Sequence, residues 1–256
     1  MIKEKKIIIG NWKMQLNVEE SIFQAKQLKK IVNSKIAKNV EIGIAPDFLS
    51  LSLLAPIFEA AGIGLGAQDV WYEDKGAFTG QVSPQSLQDL GCKYVILGHS
   101  ERRQFAGETY DLVNKKIIAA LKNDLIPVLC VGETFDERKD GRKDLVIMQQ
   151  VQTALRGVDI LATQTLIIAY EPLWAIGSGQ ATQPAEAQHT AMIIKQSLID
   201  VLEERDLPLV KILYGGSVSA ENIASFISQK DIDGTLVGGA SLEAHKFIEL
   251  IKQSDL

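Results

Sequence analysis

Short runs of apolar residues alternate with longer amphipathic stretches along the whole 256-residue chain, and this alternation limits the fold more than any other feature. Most of the runs lack the polar alternation of a half-solvated strand, which is typical of strands buried on both faces of a parallel sheet. The stretches between them carry apolar residues at helical spacing. The eight predicted strands centre on residues 7–9, 42–45, 63–67, 95–97, 126–131, 166–169, 210–213 and 235–237.

Helix signals lie between these strands. Asn17 with Glu20 three residues later has the pattern of a capping box, and Pro184 fits the first turn of a helix. The charged segment 137–144 is interpreted as a solvated break between helices. Further helices are predicted over residues 49–61, 84–90, 145–155, 220–228 and 242–251.

Eight strand-then-helix units predict right-handed parallel βα connections. We therefore predict an α/β fold, a (β/α)8 barrel of eight parallel strands with eight outer helices, in one domain over residues 1–256. A doubly wound open sheet is the alternative. It is less favoured because no Gly-x-Gly-x-x-Gly pattern follows the first strand.

The net charge of −5 is spread along the chain, which argues against nucleic-acid and membrane-surface partners but leaves a small anionic ligand possible. Cys92 and Cys130 are the only cysteines, too few for a disulfide framework and without metal-ligand spacing. The sequence has no secretory signal pattern and no apolar run of membrane-spanning length. We expect a cytoplasmic protein.

Polar residues and glycine turns follow several of the strands, at the end where barrels of this kind carry their chemistry. They are Asn11, Lys13, Gln68, His99, Glu171, the Gly215-Gly216-Ser217 turn and the Gly238-Gly239 turn. Each has an ordinary explanation, such as a solvated carboxylate or a tight turn. Together, a carboxylate, an imidazole, an ammonium and two phosphate-sized glycine turns predict proton abstraction next to a carbonyl in a small phosphorylated substrate.

Two of these positions carry further information. His99 opens a helical-looking segment, whose dipole disfavours imidazolium and favours a neutral, hydrogen-bonding ring. Glu171 is followed by Pro172, two bulky apolar residues and a flexible Gly-Ser-Gly segment at 177–179. A stiff start and a flexible end are typical of a lid over an active site.

Five segments of the chain resemble the triosephosphate isomerase family. They are Asn11-Trp12-Lys13-Met14, Gly98 to Arg103, Ala169 to Gly179, Tyr214 to Ser217 and Leu236 to Gly239. They occur in the family's order and span residues 10 to 242, so the resemblance covers nearly the whole chain. It implies a TIM barrel that interconverts dihydroxyacetone phosphate and glyceraldehyde 3-phosphate through an enediolate, in glycolysis and gluconeogenesis, without a metal or organic cofactor.

The resemblance also assigns catalytic roles. Glu171 is the base that moves the proton, His99 polarises the carbonyl oxygens from its neutral form, and Lys13 stabilises the developing oxyanion. Asn11 contacts substrate and helps to place Lys13, and Glu101 pairs with that lysine. A glutamate base paired with a neutral histidine is the known pairing of this family, so it is the resemblance that implies it.

Binding and lid residues follow from the same resemblance. The phosphate is expected on main-chain N–H groups of Gly177, Ser217, Gly238 and Gly239. The lid extends from Pro172 to Thr182 and includes Ile176 and Ser178. Its closure should press Ile176 and Leu236 against the Glu171 carboxylate and make that carboxylate a stronger base.

The segment 68–83 is too long for a simple connector and is rich in aromatic residues, which is typical of an interface. The resemblance implies a homodimer in which Thr79 approaches Asn11 and Lys13 of the other subunit, with a higher oligomer left open. Three positions depart from the family pattern, of which Gln15, where Asn or His is more usual, carries little weight. Gln81 replaces the usual Glu, which weakens the argument for an ion pair between subunits at Arg102, and Ser178 replaces Thr.

Two other functions compete with this interpretation. A different phosphate-binding barrel, such as a sugar-phosphate epimerase or a lyase, would share the glycine turns but would usually need a metal cluster or a Schiff-base lysine, and neither pattern is found. A non-catalytic binding protein on the same scaffold would be indicated by loss of Glu171, His99 or Lys13, and all three are present.

Overall fold

The computed structural model describes residues 5–32, 39–175 and 181–254. Its eight strands are all parallel and pair in sequence order, with the eighth pairing back to the first, so they close into a barrel. The predicted barrel is therefore confirmed. The strands are β1 (Lys6–Asn11), β2 (Val40–Ala45), β3 (Gly64–Ala67), β4 (Cys92–Leu97), β5 (Ile126–Val131), β6 (Leu166–Tyr170), β7 (Val210–Tyr214) and β8 (Gly234–Val237).

The described residues contain ten α-helices around the barrel, two more than one helix per strand. The two additional helices are the short α4 and α6, because β4 and β5 are each followed by a pair. The helices are α1 (Val18–Ile31), α2 (Leu51–Glu59), α3 (Pro84–Asp89), α4 (Ser100–Phe105), α5 (Tyr110–Lys122), α6 (Phe135–Lys139), α7 (Lys143–Leu155), α8 (Pro184–Ile199), α9 (Ile223–Ile227) and α10 (Ala244–Gln253). No helix among the described residues is both long and apolar enough to cross a membrane.

The helix ends follow local sequence signals. The side chain of Asn17 accepts a 3.0 Å bond from the Glu20 N–H, and the Glu20 carboxylate accepts a 2.8 Å bond from the Asn17 N–H, so the predicted capping box is confirmed. A second capping box, between Thr134 and Glu137, begins α6. The prediction of a break between helices over 137–144 is thus only partly right. Residues 137–139 belong to α6 and residues 143–144 to α7, so the break is confined to 140–142.

Along each strand, residues point alternately into the barrel interior and outward to the helices. Both sides are apolar, which explains the continuous apolar runs in the sequence. Ile7 and Ile9 point into the barrel, whereas Ile8 points outward to the helices. Tyr94 fills part of the interior, and a β-carbon at Gly64 or Gly43 would come within 2.6 Å or 2.9 Å of its ring. Of the two glycines that make β3 a weak strand signal, Gly64 is therefore required by the packing of Tyr94.

Candidate active site

A cavity of about 330 Å³ lies at the carboxyl end of the barrel. Residues from β1, β4, β6, β7 and β8 or the turns after them line it, which is the arrangement that parallel strands in a closed barrel impose. The structure brings together eight of the residues that the sequence singles out: Asn11, Lys13, His99, Glu171, Ser217, Leu236, Gly238 and Gly239. The lid residues Ile176, Gly177 and Ser178 lie outside the described residues.

Lys13 is held by its neighbours in an unusual backbone conformation. Its φ of 53° lies in the left-handed region, which is uncommon for a residue with a side chain. The Lys13 N–H donates a 3.0 Å bond to Asn11 Oδ1, and Gln68 Nε2 donates a 2.7 Å bond to the Lys13 carbonyl. Its ammonium lies 2.6 Å from Glu101 Oε1. The strand-end residues Asn11 and Gln68 therefore position the lysine, and Glu101 pairs with it.

His99 and Glu171 are in direct contact. His99 Nε2 lies 3.1 Å from Glu171 Oε1, and Glu171 Oε2 accepts a 3.4 Å bond from the Ser100 N–H. On the other side of the ring, His99 Nδ1 accepts a 3.2 Å bond from the Glu101 N–H at the start of α4. Because Nδ1 is an acceptor, the proton of a neutral ring lies on Nε2. His99 is therefore oriented to donate from Nε2 into the cavity.

Burial and neighbouring charges shift the pKa values of His99 and Glu171 in opposite directions. Burial lowers the pKa of His99, but the adjacent Glu171 carboxylate outweighs it and raises that pKa above its usual value. Burial raises the pKa of Glu171, but His99 and then Arg103 lower it below the usual value. The raised His99 pKa differs from the neutral ring that the helix dipole predicts. The reason is the contact with Glu171, which strand-end position alone does not indicate.

Glycines allow Glu171 to sit where it does. A β-carbon at Gly215 would lie 2.8 Å from Glu171 Cγ, and one at Gly132 would collide with the Glu171 carbonyl oxygen. A β-carbon at Gly239, by contrast, would meet nothing within 4 Å. The first two glycines are explained by packing of the protein. At Gly239 the space beside the backbone is open to a ligand.

The start of the loop after Glu171 is anchored on Glu133, which the sequence analysis missed. The fully buried Glu133 carboxylate accepts a 2.9 Å bond from Trp174 Nε1 and a 3.2 Å bond from the Tyr170 hydroxyl. The guanidinium of Arg138 lies 4.8 Å from the centre of the Trp174 ring. Glu133 lies two residues after the end of β5, so a wider application of the strand-end rule would have found it.

We expect Trp174→Phe to lower kcat/KM about 10-fold, because the change removes the indole N–H that fixes the loop start and a misplaced group near the chemistry costs rate. It also leaves the buried Glu133 short of a donor, which should lower the free energy of unfolding by about 1–3 kcal/mol. Steady-state kinetics and urea unfolding of the purified variant measure both effects. Wild-type values for both would contradict this anchoring role.

Contacts within the single chain hold the predicted interface segment 68–83 in place. The ring centroid of Trp71 lies 4.4 Å from that of Tyr72 and 5.5 Å from that of Phe78. Asp74 accepts bonds of 2.8 Å from Lys122 Nζ and 2.9 Å from Asn123 Nδ2. Thr79 is exposed and does not line the cavity of its own chain.

Arg102 has carboxylate partners within its own chain. Its Nη2 lies 2.7 Å from Asp69 Oδ2 and its Nε lies 3.4 Å from Glu108 Oε1. The buried Lys116 also contacts both of these carboxylates. The Gly98 N–H donates a 3.1 Å bond to Glu108 Oε2. This buried charge cluster connects the base of segment 68–83 to the end of β4, and it gives Arg102 its counter-charges although residue 81 is Gln.

Neither cysteine forms a disulfide, and both are buried. Over residues 5–32, 39–175 and 181–254, no group of three or more His, Cys, Asp or Glu side chains has an arrangement that could hold a metal ion.

Comparisons with known proteins agree with this geometry. The family model described as "Triosephosphate isomerase" matches residues 6–254. The chain is 42% identical to the triosephosphate isomerase of Dictyoglomus turgidum, over 97% of this chain and 99% of that protein. It is 44% identical to the triosephosphate isomerase of Moorella thermoacetica, over 96% of this chain and 97% of that protein. It is 42% identical to the triosephosphate isomerase of a Thermoanaerobacter species, over 96% of this chain and 98% of that protein.

Proposed function

Because the chain belongs to the triosephosphate isomerase family, we propose that Glu171, His99 and Lys13 carry out this family's reaction in the cavity at the carboxyl end of the barrel. The enzyme interconverts dihydroxyacetone phosphate and glyceraldehyde 3-phosphate, a step of glycolysis and gluconeogenesis. The observation that carries the proposed roles is the convergence of a carboxylate, an imidazole and an ammonium on one cavity of about 330 Å³.

Glu171 acts as the base. In the free site its carboxylate is bound to His99 and to the Ser100 N–H, so it is held ionised and close to the cavity. A substrate entering the cavity takes over the His99 contact and leaves the carboxylate facing the carbon that carries the exchangeable proton. The proton moves from one carbon to the carboxylate and then to the neighbouring carbon.

His99 acts as a neutral hydrogen-bond donor. Its pKa is raised in the free site by contact with Glu171, and this cause weakens once a substrate separates the two side chains. The bond that Nδ1 accepts from the Glu101 N–H then favours the neutral ring with its proton on Nε2. That N–H points at the position where the carbonyl oxygens of the substrate gain charge.

Lys13 supplies the positive charge, with its position fixed by Asn11 and Glu101. The phosphate binds on main-chain N–H groups of Ser217, Gly238 and Gly239, where the open space at Gly239 supports close approach of a ligand. Gly177 adds an N–H from the lid. Closure of the lid excludes water, and Ile176 and Leu236 then desolvate the Glu171 carboxylate and strengthen it as a base.

The first test is turnover of glyceraldehyde 3-phosphate in a coupled assay, before and after treatment with EDTA. We expect activity approaching the diffusional limit of about 10⁸ M⁻¹s⁻¹ in kcat/KM, unchanged by the chelator, because none of the proposed steps uses a metal. Loss of activity on chelation would favour a metal-dependent epimerase or lyase. A folded protein without turnover would favour a binding role on the same scaffold.

The functional unit is a homodimer in which segment 68–83 of one copy enters the groove beside Lys13 of the other. This groove has a volume of about 550 Å³ and is lined in part by Met14, Phe48 and Leu49. Met14 is 93% exposed and Leu49 is 79% exposed in the single chain, which is unusual for such side chains and supports a covering partner. Thr79 at the tip of the segment then approaches Asn11 and Lys13 of the other copy.

We expect Thr79→Arg to weaken the dimer at least about 10-fold, because a bulky cation at the tip of the segment would meet the ammonium of Lys13 in the groove. Sedimentation velocity over a concentration series measures the change. Thr163→Arg, which adds the same side chain at another exposed position, is the control. A Thr79→Arg variant that remains dimeric at the wild-type concentration would contradict the proposed interface.

The same family membership supports a cytoplasmic location, a single barrel domain over residues 1–256 and a small phosphorylated substrate as the only partner besides the second copy. No nucleic-acid or membrane partner is proposed, because the net charge of −5 is spread over the sequence.

A further inference from the structure

Arg103 lies on the helix that contacts the proposed base through the Ser100 N–H, and it does not line the cavity. It belongs to α4, the helix that His99 caps, and its side chain is partly buried. Its positive charge acts on Glu171 and lowers the pKa of that carboxyl. An arginine is a long, flexible side chain, so a fixed effect on the base needs contacts that hold the guanidinium in one place.

Tyr110 provides such contacts. The hydroxyl of Tyr110 accepts a hydrogen bond from Arg103 Nη1 and donates a 3.1 Å bond to the main-chain carbonyl of Cys130. The guanidinium also lies 5.2 Å from the centre of the Tyr110 ring, within cation–π distance. The arginine is therefore held both by the hydroxyl group and by the aromatic face of one side chain.

The acceptor of the Tyr110 hydroxyl belongs to the strand beside the base. Cys130 is fully buried on β5 and pairs with Ala169 of β6, two residues before Glu171. The Glu171 N–H in turn donates a 2.7 Å bond to the carbonyl of Val131, the neighbour of Cys130. Tyr110 thus connects Arg103 to the part of the sheet from which Glu171 emerges.

We propose that Tyr110 is a positioning residue for the base. It holds the Arg103 guanidinium against β5, whose Val131 carbonyl accepts the Glu171 N–H, while α4, the helix that carries Arg103, binds the Glu171 carboxylate through the Ser100 N–H. The inference rests on the proposed role of Glu171 where it concerns catalysis. The geometric part, a tyrosine that fixes a charge which acts on a carboxylate, does not depend on turnover.

The groups that face Glu171 give the expected direction of the effect. They are His99 at the end of β4, the Ser100 N–H and Arg103 on α4, and the buried thiol of Cys130 on β5. The charges of Glu108 and Glu137 also act on Arg103. When the hydroxyl that fixes it is removed, the guanidinium can turn towards these other carboxylates. The pKa of Glu171 should then rise, because a nearby positive charge favours its ionised form.

The test is Tyr110→Phe, which removes the hydroxyl and keeps the ring. The pKa of Glu171 is measured in the free protein by ¹³C NMR of the glutamate carboxyl groups, with the Glu171 signal identified by its absence from Glu171→Gln. We expect the pKa of Glu171 to rise by about 0.5 to 1 unit. This is less than the usual effect of a neighbouring charge, because Arg103 is displaced and not removed. Asp111→Asn is the matched control, because Asp111 is the next residue of α5 and forms an exposed ion pair with Arg156.

Two further measurements separate positioning from a general loss of stability. The acid limb of the kcat/KM profile should move to higher pH by the same amount as the NMR titration, with KM at pH 8 unchanged. In an Arg103→Gln background, Tyr110→Phe should add no further shift, because the charge that it positions is gone. An unshifted Glu171 titration in a folded Tyr110→Phe variant, or an equal shift without Arg103, would overturn the inference. Turnover of the wild type tests the proposed function separately.

Discussion

Glu171→Gln is expected to lower kcat about 10³-fold or more, with KM within a few-fold of the wild-type value, because general-base catalysis contributes about 10²–10⁴-fold and no other carboxylate lines the described cavity. Glutamine has the same shape as glutamate, and its amide oxygen can still accept from His99 Nε2. It cannot take a proton at neutral pH. The loss should therefore fall on the chemical step and leave the bound state intact.

A coupled assay in both directions of the reaction measures this loss. Exchange of the substrate's carbon-bound proton with deuterium from the solvent is followed in parallel, because it reports on proton transfer directly. Glu203→Gln is the control, since it makes the same chemical change at an exposed position. If Glu171→Gln kept more than about a tenth of the wild-type kcat, another group would have to be the base and the assignment would be wrong.

The strands could be predicted from sequence because burial on both faces produces a continuous apolar run, and this signal does not depend on the rest of the structure. The weakest strand, β3, illustrates the limit. Its glycines at 64 and 66 read as poor strand formers, and the reason for Gly64 is a clash with Tyr94, a residue 30 positions further along the sequence. Local sequence cannot reveal a requirement set by a distant side chain.

The short helix α6 was the other failure. With five residues, α6 is too short to show a clear apolar periodicity. A capping signal was present, because Thr134 and Glu137 form a capping box, but Glu137 was interpreted only as the start of the charged break 137–144. Where a helix has fewer than two turns, its cap residues carry more information than its hydrophobic pattern.

One rule was enough to predict which residues line the active-site cavity, but not how they contact one another. Residues that follow parallel strands meet at one face of a barrel, and this rule places Asn11, Lys13, His99 and Glu171 together without any distance being known. It does not give the contacts between them. The bond between Lys13 and Glu101, 88 residues apart, and the raised pKa of His99 both depend on side-chain positions that only the folded chain fixes.

Residues that act through others were missed for the same reason. Gly132 allows the Glu171 backbone to approach β5, Glu133 anchors the loop start, and Tyr110 contacts Arg103. Gly132 and Glu133 follow a strand and could have been included by the strand-end rule. Tyr110 lies at the start of a helix, so its contact with the neighbourhood of Glu171 becomes visible only when α4, α5 and β5 are packed together.

Lys13→Met should lower kcat/KM about 10³-fold, since removing a group that stabilises developing negative charge costs about 10²–10³-fold and here the substrate phosphate also loses an attraction. Methionine keeps much of the apolar length of the side chain, so packing changes little. The partner carboxylate of Glu101 is then left without the ammonium that lies 2.6 Å from it, and its negative charge acts on the anionic substrate.

The double variant Lys13→Met/Glu101→Gln separates these two effects. Removing the unpaired carboxylate should return KM towards the wild-type value, because repulsion of the substrate has gone. The rate constant kcat should stay low, because no positive charge opposes the oxyanion in the transition state. Lys195→Met is the control, as it removes an ammonium 2.6 Å from Asp231 on the outside of the barrel. Recovery of kcat in the double variant would mean that Lys13 acts only by neutralising Glu101, and its proposed contact with the reacting oxygen would be wrong.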